Sequence, residues 1–318
     1  MRNLLTFVLK AIVSGVLLYF AFSRVNFNFI RQRLDSLDYA WLAAAVLILI
    51  GQTMVGALRW QKIVHHCEAP GSQLFALSGA FRFTFIAAFF NQTLPSTIGG
   101  DAVRVWLLGR NQGGWRAATF SVLIDRMAGV LVLAILVIFC LPWSFALISD
   151  VTGRIALLIV GFGSIGACLV FLAFGFLHWH WLEHWWLARQ LAAIGSTARR
   201  VLGSPSSGPL IIAYSLLNHL MSVTAAWCLA KSVAAPLEWS QALLLILPVL
   251  LIASIPLSIA GWGTRETAMV LAFGYAGLPE GDGLIVSVLM GIAAFAGGLL
   301  GGGVWILDRG KRRVQPPP

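Results

Sequence analysis

The feature that most constrains this chain is a series of apolar runs long enough to cross a membrane. A helix rises about 1.5 Å per residue, so roughly 20 apolar residues cross a hydrocarbon core about 30 Å thick. The runs of that length are Leu4–Phe22, Tyr39–Leu58, Thr119–Leu141, Ile155–Leu177, Pro209–Ala230 and Leu284–Leu307. With 59% hydrophobic and 11% charged residues, the composition departs from that of soluble proteins in the same direction. The sequence predicts an all-α polytopic membrane protein, with residues 1–318 forming a single integral membrane domain.

Two further apolar regions are interrupted near their middles. Leu74–Leu108 and Ala242–Tyr275 each contain a proline and paired glycines, so each is predicted to form two short helices joined by a break. If neither region makes a net crossing, the chain divides into repeat halves of about 1–150 and 151–318, each with two spans, a re-entrant broken pair and a third span. The halves begin on opposite sides of the membrane, which predicts an inverted repeat of the kind that many transporters have.

The distribution of basic residues orients the chain. Arg199 and Arg200 lie in one long loop, and the tail after residue 308 is also basic, whereas residues 142–153 and 277–283 contain no Lys or Arg. The positive-inside rule therefore predicts a cytoplasmic C-terminus. The first hairpin then enters from the cytoplasm and the second from outside. Arg24, Arg31 and Arg33 fit less well, because they fall in a loop assigned to the outside.

The breaks have the composition of an anion site. Non-helical backbone is tolerated at membrane depth only where protein or a water-filled cavity satisfies its polar groups. Asp101 and Thr264 are candidate N-caps of the helices that follow the two breaks, and Arg104 and Arg265 fall in the first turns. Helix N-termini and guanidinium groups both bind phosphate oxygens, so the sequence predicts one shared pocket for an anion. The alternative is that neighbouring charges simply neutralise one another.

Other motifs carry less functional information. The sequence contains no nucleotide-binding loop, no nucleophile elbow and no metal-binding signature, so no cofactor and no metal are predicted. No nucleic-acid-binding motif is present either, and the net charge of +10 is assigned to loops that face anionic lipid. The last span has a face of small residues that includes Ala294, Gly298 and Gly302. This face favours close helix packing, either within the chain or with a second copy or an enzyme partner.

Three blocks of the sequence resemble a known family. FNQTLPSTIGGDAVRVWLL, VLIDRMAGVLVL and IPLSIAGWGTRETAMVLAF are similar to blocks of the flippase-like membrane family that includes the transmembrane domain of lysylphosphatidylglycerol synthases, formerly described as dolichol-phosphate-glucose synthetase-like. The resemblance implies a protein of the bacterial inner membrane that handles a lipid with an anionic or phosphate-bearing head group. Pro95 and Pro256 fall in the matching blocks. The residues that it places around the head group are Asn91, Ser96, Gly99, Gly100, Asp101, Arg104, Asp125, Arg126, Ser258, Gly261, Gly263, Arg265 and Glu266.

These observations favour a transporter over an enzyme. The predicted activity is the movement of a phospholipid or a polyprenyl-phosphate lipid between leaflets, with its head group passing through the polar pocket. Two alternatives stay open: a membrane-embedded lipid-modifying enzyme with Asp101 or Glu266 as the base, and an accessory subunit in polyprenyl-glycan or hopanoid biosynthesis.

Overall fold

The protein is an assembly of helices. The computed structural model describes residues 2–67, 75–94, 98–111, 114–174, 186–255 and 261–314, and no strand occurs among them. The helices are α1 (Arg2–Ser23), α2 (Phe27–Asp35), α3 (Tyr39–Cys67), α4 (Leu77–Thr93), α5 (Gly99–Asn111), α6 (Gly114–Leu147), α7 (Val151–Phe174), α8 (Trp186–Leu202), α9 (Gly208–Ser232), α10 (Trp239–Ala253), α11 (Thr264–Tyr275) and α12 (Glu280–Val314). The predicted fold class is confirmed.

Long apolar helices form the membrane-crossing part of the chain. Within the described residues, five helices are long and apolar enough to cross a membrane, namely α3, α6, α7, α9 and α12. The N-terminal run, predicted as a sixth span, meets the same test as a bent pair in which Ala11–Ser23 and Asn28–Asp35 lie at 81° to each other. Most spans extend beyond their apolar runs, and α3 continues through Arg59 to Cys67. The last three residues of the run Ile155–Leu177 lie outside the described residues.

Both predicted interruptions are present. The first separates α4 from α5, and Leu94 at the end of α4 has an extended backbone (φ −85°, ψ 141°), which is the conformation favoured before a proline such as Pro95. The second separates α10 from α11. There Gly261 and Gly263 have φ values of 80° and 95°, a region that residues with a Cβ rarely occupy.

Helix α12 shows how the two broken pairs are arranged. Helix α4 runs antiparallel to it: Arg82 pairs with Asp308, and the Cβ position of Gly298 lies 3.4 Å from Ala88 O. Helix α11 also runs antiparallel to it, with Gly274 beside Glu280 and Arg265 beside Gly291. The end of α4 and the start of α11 therefore both point toward the middle of α12, and they approach it from opposite ends.

Each broken pair begins and ends at the same end of the helix bundle. One hydrophobic cluster unites the end of α3, the start of α4, the end of α5 and the start of α6 through Val64, Phe75, Leu108 and Ala118. At the other end, Arg33 donates a hydrogen bond to Ala234 O just before α10 and pairs with Asp282 at the start of α12, where α11 also ends. The packing thus has the inverted arrangement predicted from the sequence.

The basic segment between α1 and α3, which includes α2, is paired with the acidic first turn of α12. Arg33 forms an ion pair with Asp282 at 3.0 Å, and Arg24 lies 3.5 Å from Glu280. Asp38 instead accepts a hydrogen bond from the N–H of Ala40 at the start of α3. The two ion pairs place this segment and the start of α12 at the same end of the bundle, as the orientation from charge requires.

Candidate functional site

A polar cavity lies between α3, α4, α5, α6 and α9. Its volume is about 220 Å³. Asp125 in its wall lies six residues inside the apolar run Thr119–Leu141, about 9 Å along the helix. The lining residues are Gln52, Thr53, Gly56, Arg59, Thr84, Ala87, Ala88, Asn91, Asp101, Arg104, Asp125, Arg126 and Asn218.

One wall of the cavity is a continuous chain of ion pairs. Arg59 Nε donates to Asp125 Oδ1 at 2.8 Å, and Arg104 Nη1 donates to Asp125 Oδ2 at 3.0 Å. Arg104 Nη2 donates to Asp101 Oδ1 at 2.7 Å, and Arg126 Nε donates to Asp101 Oδ2. Charges of opposite sign thus alternate along the wall, and each of the four carboxylate oxygens accepts a hydrogen bond from an arginine.

The ion-pair chain carries an excess positive charge, because it contains three arginines and two aspartates. Its inner members are well covered: 8% of the Arg104 side chain and 4% of the Asp125 side chain are exposed. Arg126 at the other end is 46% exposed. The uncompensated charge therefore belongs to a network that is buried at one end and accessible at the other.

Close packing between α4 and α5 holds the aspartate in place. The N–H of Gly100 donates to Asn91 Oδ1 at 2.8 Å, and a Cβ on Gly100 would lie only 2.2 Å from Ala87 O. Only glycine at this position allows α4 and α5 to lie so close together. The predicted N-cap role of Asp101 is wrong: α5 begins at Gly99, so Asp101 lies within the first turn, and its side chain binds two arginines instead.

Aromatic and hydroxyl groups support the arginines from the other side. The Arg104 guanidinium carbon lies 5.0 Å from the centre of the Trp60 ring, a cation–π distance. Trp60 in turn donates its Nε1–H to Ser121 Oγ at 3.2 Å. Arg59 Nη1 donates to Ser215 Oγ on α9 at 3.1 Å. The guanidinium groups are therefore fixed by contacts from four helices.

Several cavity residues were not predicted from the sequence. Arg59 directly follows the predicted span Tyr39–Leu58, and α3 continues beyond it to Cys67. Asn218 lies inside the run Pro209–Ala230, and a polar residue in a predicted span was the one available signal. Its Nδ2 donates to Gln52 O, and Gln52 Nε2 donates to Asn218 Oδ1.

The second break forms a separate and closed cluster. Glu266 is fully buried, and its Oε1 accepts hydrogen bonds from Arg265 Nη2 at 2.8 Å and from Ser287 Oγ at 3.0 Å. Its Oε2 accepts from the N–H of Gly263 at 2.7 Å. Arg265 Nε donates to Ser287 Oγ at 3.0 Å. Here one arginine meets one carboxylate, so the cluster has no excess charge.

The helix after this break also begins differently from the prediction. Gly263 takes the N-cap position, and Thr264 is the first residue of α11 rather than its cap. The hydroxyl of Thr264 donates to Gly261 O at 3.0 Å, which closes the turn between the two glycines. A Cβ on Gly263 would lie 2.9 Å from Ser14 O, so this turn packs directly against α1.

The predicted residues therefore fall into two groups. Five of them line the cavity, namely Asn91, Asp101, Arg104, Asp125 and Arg126. The start of α5 beside the cavity is formed by Gly99 and Gly100. The described lining residues do not include Gly261, Gly263, Arg265 or Glu266. Ser96 and Ser258, like Pro95 and Pro256, lie outside the described residues.

The single pocket shared by the two arginines is a prediction that needs correction. Arg265 contacts α12 at Gly291, whereas Ala88 of the cavity wall contacts it at Gly298. Seven residues separate these two levels, about 10 Å along the helix. In the described part of the chain, the two arginines belong to different clusters because each meets its own carboxylates.

The small-residue face of α12 packs inside the chain. The Cβ position of Gly301 lies 1.8 Å from Phe85 O, and those of Gly298 and Gly302 lie 3.4 Å and 3.0 Å from atoms of Phe89. This is the intramolecular alternative from the sequence analysis. A partner that used the same face would have to displace α4.

Comparison with known proteins agrees with this architecture. The chain has no match among curated proteins. A family model described as the lysylphosphatidylglycerol synthase TM region matches residues 7–302. The match includes both broken helix pairs, the ion-pair chain of the cavity and the closed cluster. The chain therefore belongs to the family of the lysylphosphatidylglycerol synthase TM region.

Proposed function

We propose that the protein moves a lipid with an anionic or phosphate-bearing head group between the two leaflets of a bacterial inner membrane. The observation that carries the proposal is the polar cavity between the apolar helices, whose wall of ion pairs has one positive charge in excess. The head group would pass through this cavity while the acyl or prenyl tails stay in the surrounding lipid.

The energetic reason is the cost of taking charge through hydrocarbon. Insertion of a charged side chain at the centre of a bilayer costs about 2.5 to 3.5 kcal/mol on biological insertion scales, and a phosphate faces the same kind of barrier. A cavity lined by arginine and by amide and hydroxyl groups replaces part of the water that the phosphate loses. The residues proposed to do this are those of the predicted set that line the cavity, namely Asn91, Asp101, Arg104, Asp125 and Arg126.

The inverted packing of the broken pairs supports a carrier mechanism. The two breaks point toward the middle of α12 from opposite ends, as in transporters whose sites lie between discontinuous helices. Relative movement of the two halves would open the cavity to each leaflet in turn. The glycine turn at Gly261 and Gly263, which has no excess charge nearby, would belong to the moving framework rather than to the head-group site.

The enzyme alternative is less well supported by the geometry. A general base needs a carboxylate oxygen that can accept a proton from the substrate. Both oxygens of Asp101 are bonded to arginines, and both oxygens of Glu266 are occupied in a fully buried site. The accessory-subunit alternative needs the glycine face of α12, which α4 covers.

The proposed orientation places the C-terminus in the cytoplasm. The end of the bundle at which α3 ends and α6 begins also contains Arg110 in the last turn of α5 and Arg116 in the first turn of α6. Arg199 and Arg200 lie in the last turn of α8, and α8 packs against that end through Ile194 and Ile63. Excess arginine at one end is the pattern of the cytoplasmic side.

A leaflet-specific transfer assay tests the proposal. Purified protein is reconstituted in liposomes with a fluorescent phospholipid, and an impermeant reductant quenches the label in the outer leaflet. We expect the protein to increase transfer above that of protein-free liposomes. The double variant Asp101→Asn, Arg104→Gln keeps the net charge but breaks the ion-pair chain. It should lower the rate about tenfold or more if one charged hydrogen bond to the lipid is lost.

The matched control is the double variant Arg24→Gln, Glu280→Gln. It removes a 3.5 Å ion pair between the residue after α1 and the first residue of α12, neither of which lines the cavity, and it should leave the transfer rate unchanged. Equal rates for the native chain and the Asp101→Asn, Arg104→Gln variant would refute the proposed route. No transfer above protein-free liposomes for any labelled phospholipid or polyprenyl phosphate would refute the function itself.

A further inference from the structure

The N-terminal helices form a bent segment that reaches from one repeat half to the other. Its two parts, Ala11–Ser23 of α1 and Asn28–Asp35 of α2, lie at 81° to each other, and we call residues 11–35 the N-terminal elbow. The elbow belongs to the first half, but it packs against α11, α12 and the segment between α9 and α10, which belong to the second. It therefore joins the two halves at the outer end of the bundle, opposite the arginine-rich end.

The first arm of the elbow, α1, covers the second break. A Cβ on Gly263 would lie 2.9 Å from Ser14 O, so the turn and the helix backbone are almost in contact. The hydroxyl of Thr267 on α11 donates to Leu17 O at 3.0 Å. Because the N–H of Gly263 also donates to Glu266, α1 lies directly on the closed cluster.

The second arm, α2, is fastened by one arginine. Arg33 Nη1 donates to Ala234 O at 2.9 Å, between α9 and α10. Its Nε and Nη2 each lie 3.0 Å from a carboxylate oxygen of Asp282 on α12. The Asp282 side chain is fully buried, and a buried ion pair is strongly held as long as both members stay in place. A single guanidinium thus connects α2 to two segments of the second half.

The order of contacts along α12 shows what the elbow closes. Asp282 lies near the outer start of this helix, Arg265 lies beside Gly291, and Ala88 of the cavity wall lies beside Gly298. Positions 282 and 298 are about 24 Å apart at the helical rise. The Arg33 contact and the closed cluster therefore lie between the cavity and the outer end of α12. A head group that moves along α12 toward the outer leaflet meets both of them.

The position of the elbow allows it to move without disrupting the main core. The side chains of Ile12, Val16 and Tyr19 on one face of α1 are more than half exposed. On its other side, Ala21 and Val25 belong to a small hydrophobic cluster with α11 and α12 that is distinct from the main cluster. Detaching the elbow would separate this small cluster and the Arg33 contact while α3, α6 and α9 stay packed.

From these contacts we infer that the N-terminal elbow is the outer gate of the carrier and that the ion pair of Arg33 with Asp282 is its latch. The inference rests on the proposed function and identifies the part that has to move before the head group reaches the outer leaflet. Opening separates Arg33 from Asp282 and Ala234 O, and it lifts α1 from the turn at Gly263. Arg33 and Asp282 act through the position of the elbow and do not touch the lipid.

A reversible crosslink tests whether the elbow has to move. A Cβ on Gly281 would lie 3.1 Å from Val25 Cγ1, so the variant Val25→Cys, Gly281→Cys places two thiols within reach of a disulfide that joins the elbow to α12. We expect oxidation to lower lipid transfer about tenfold or more, because the open state is no longer populated, and a thiol reductant to restore it. Transfer is measured by albumin extraction of a short-chain fluorescent phospholipid, which leaves the disulfide intact.

The single variants Val25→Cys and Gly281→Cys are the matched controls for the crosslink. Each receives the same oxidant but cannot join the elbow to α12, so its transfer rate should not change on oxidation. The Gly281→Cys control also measures the effect of added volume, because its Cβ would lie 2.7 Å from the Phe29 ring.

A second experiment breaks the latch and measures water access to the covered turn. The reporter is Thr267→Cys, whose thiol reacts with a water-soluble maleimide only when α1 no longer covers it. The double variant Arg33→Gln, Asp282→Asn keeps the net charge and should label about tenfold faster, since the loss of one charged hydrogen bond shifts the equilibrium between closed and open states by about that factor. The control Arg24→Gln, Glu280→Gln removes a partly exposed pair and should leave the labelling rate unchanged.

The native cysteines distinguish opening of the gate from general loosening of the fold. Cys140, Cys168 and Cys228 are buried, and their labelling should stay slow in the latch variant. If they label faster to the same degree as Thr267→Cys, the ion pair has a purely structural role and the gate assignment is overturned.

The outcomes separate the gate from the proposed function. Equal transfer before and after crosslinking would overturn the gate and leave the carrier function standing. A cysteine pair that does not crosslink, or labelling of Thr267→Cys that the latch variant does not change, would also overturn the gate. A native chain that transfers no labelled lipid would refute the carrier function and the gate with it.

Discussion

The ion-pair chain makes a strong prediction about stability. Asp125 lies between two guanidinium groups, with Arg59 at 2.8 Å and Arg104 at 3.0 Å, and only 4% of its side chain is exposed. In the variant Asp125→Leu both arginines lose this partner while they stay buried. Removing one member of a buried ion pair typically costs about 3 to 5 kcal/mol. We expect a loss of that size in the free energy of unfolding, since Arg104 keeps Asp101, whereas among the described residues Arg59 keeps only the hydroxyl of Ser215.

The double variant Arg59→Met, Asp125→Leu tests the cause of that loss. It removes the stranded guanidinium together with the carboxylate and fills the space with apolar groups, and such replacements are often neutral. Although it contains one more substitution, it should be more stable than Asp125→Leu alone, and its loss should be smaller than the sum of the two single-variant losses by about 2 kcal/mol or more, a coupling typical of contacting residues.

Equilibrium unfolding of the purified chain in mixed micelles with increasing SDS, followed by helix content, measures these free energies. Glu280→Gln serves as the control, because its ion pair with Arg24 is 3.5 Å long and partly exposed, and it should cost less than about 1 kcal/mol. If the double variant is as unstable as the sum of its single variants, Arg59 and Asp125 do not act as a buried pair, and the reasoning about the whole wall fails.

Two further predictions concern the helix contacts around the site. Gly301→Ala places a Cβ 1.8 Å from Phe85 O and should destabilise the chain by about 1 to 3 kcal/mol in the same unfolding assay. Gly303→Ala, whose Cβ would have nothing within 4 Å, should be neutral or slightly stabilising. Equal effects of the two substitutions would contradict the packing of α4 against α12. Glu266→Ala leaves Arg265 without its carboxylate in the closed cluster and should cost about 3 to 5 kcal/mol, and a loss below 1 kcal/mol would show that this pair is not structural.

The sequence was sufficient for the long apolar helices and for the two interruptions, but not for α2 and α8, whose residues were predicted to lie in loops. Apolar runs of span length, and proline and glycine within two of those runs, are local signals whose physical effect does not depend on distant residues. Leu94, for example, is extended because a proline follows it. The helix starts were less well predicted, because a side chain such as Asp101 binds whichever partner the fold brings near, and here those partners are arginines of α5 and α6.

Which residues line the cavity depends on contacts between distant segments of the chain, and no local sequence pattern predicts those contacts. Arg59 belongs to the cavity because α3 continues past its apolar run and packs beside α6 and α9. Arg265 and Glu266 were predicted to bind the anion, yet Ser287 from α12 completes a closed set of hydrogen bonds with them. Ser287 lies 22 residues from Arg265 in the chain, and nothing in its own sequence neighbourhood marks it as a partner of this pair.

The two breaks therefore share a sequence pattern but differ in charge balance. At the first break, Arg59 and Arg126 from other helices join Asp101, Arg104 and Asp125, so that one positive charge remains and a cavity lies against it. At the second, one arginine and one carboxylate close on each other. Glycine turns and short helices provide the framework of a discontinuous-helix site at both places, but an anion is attracted only where the partners leave a charge unmatched. If the proposed function is correct, the charge supplied by the neighbouring spans, rather than the break itself, thus decides which of the two hairpins would hold the head group.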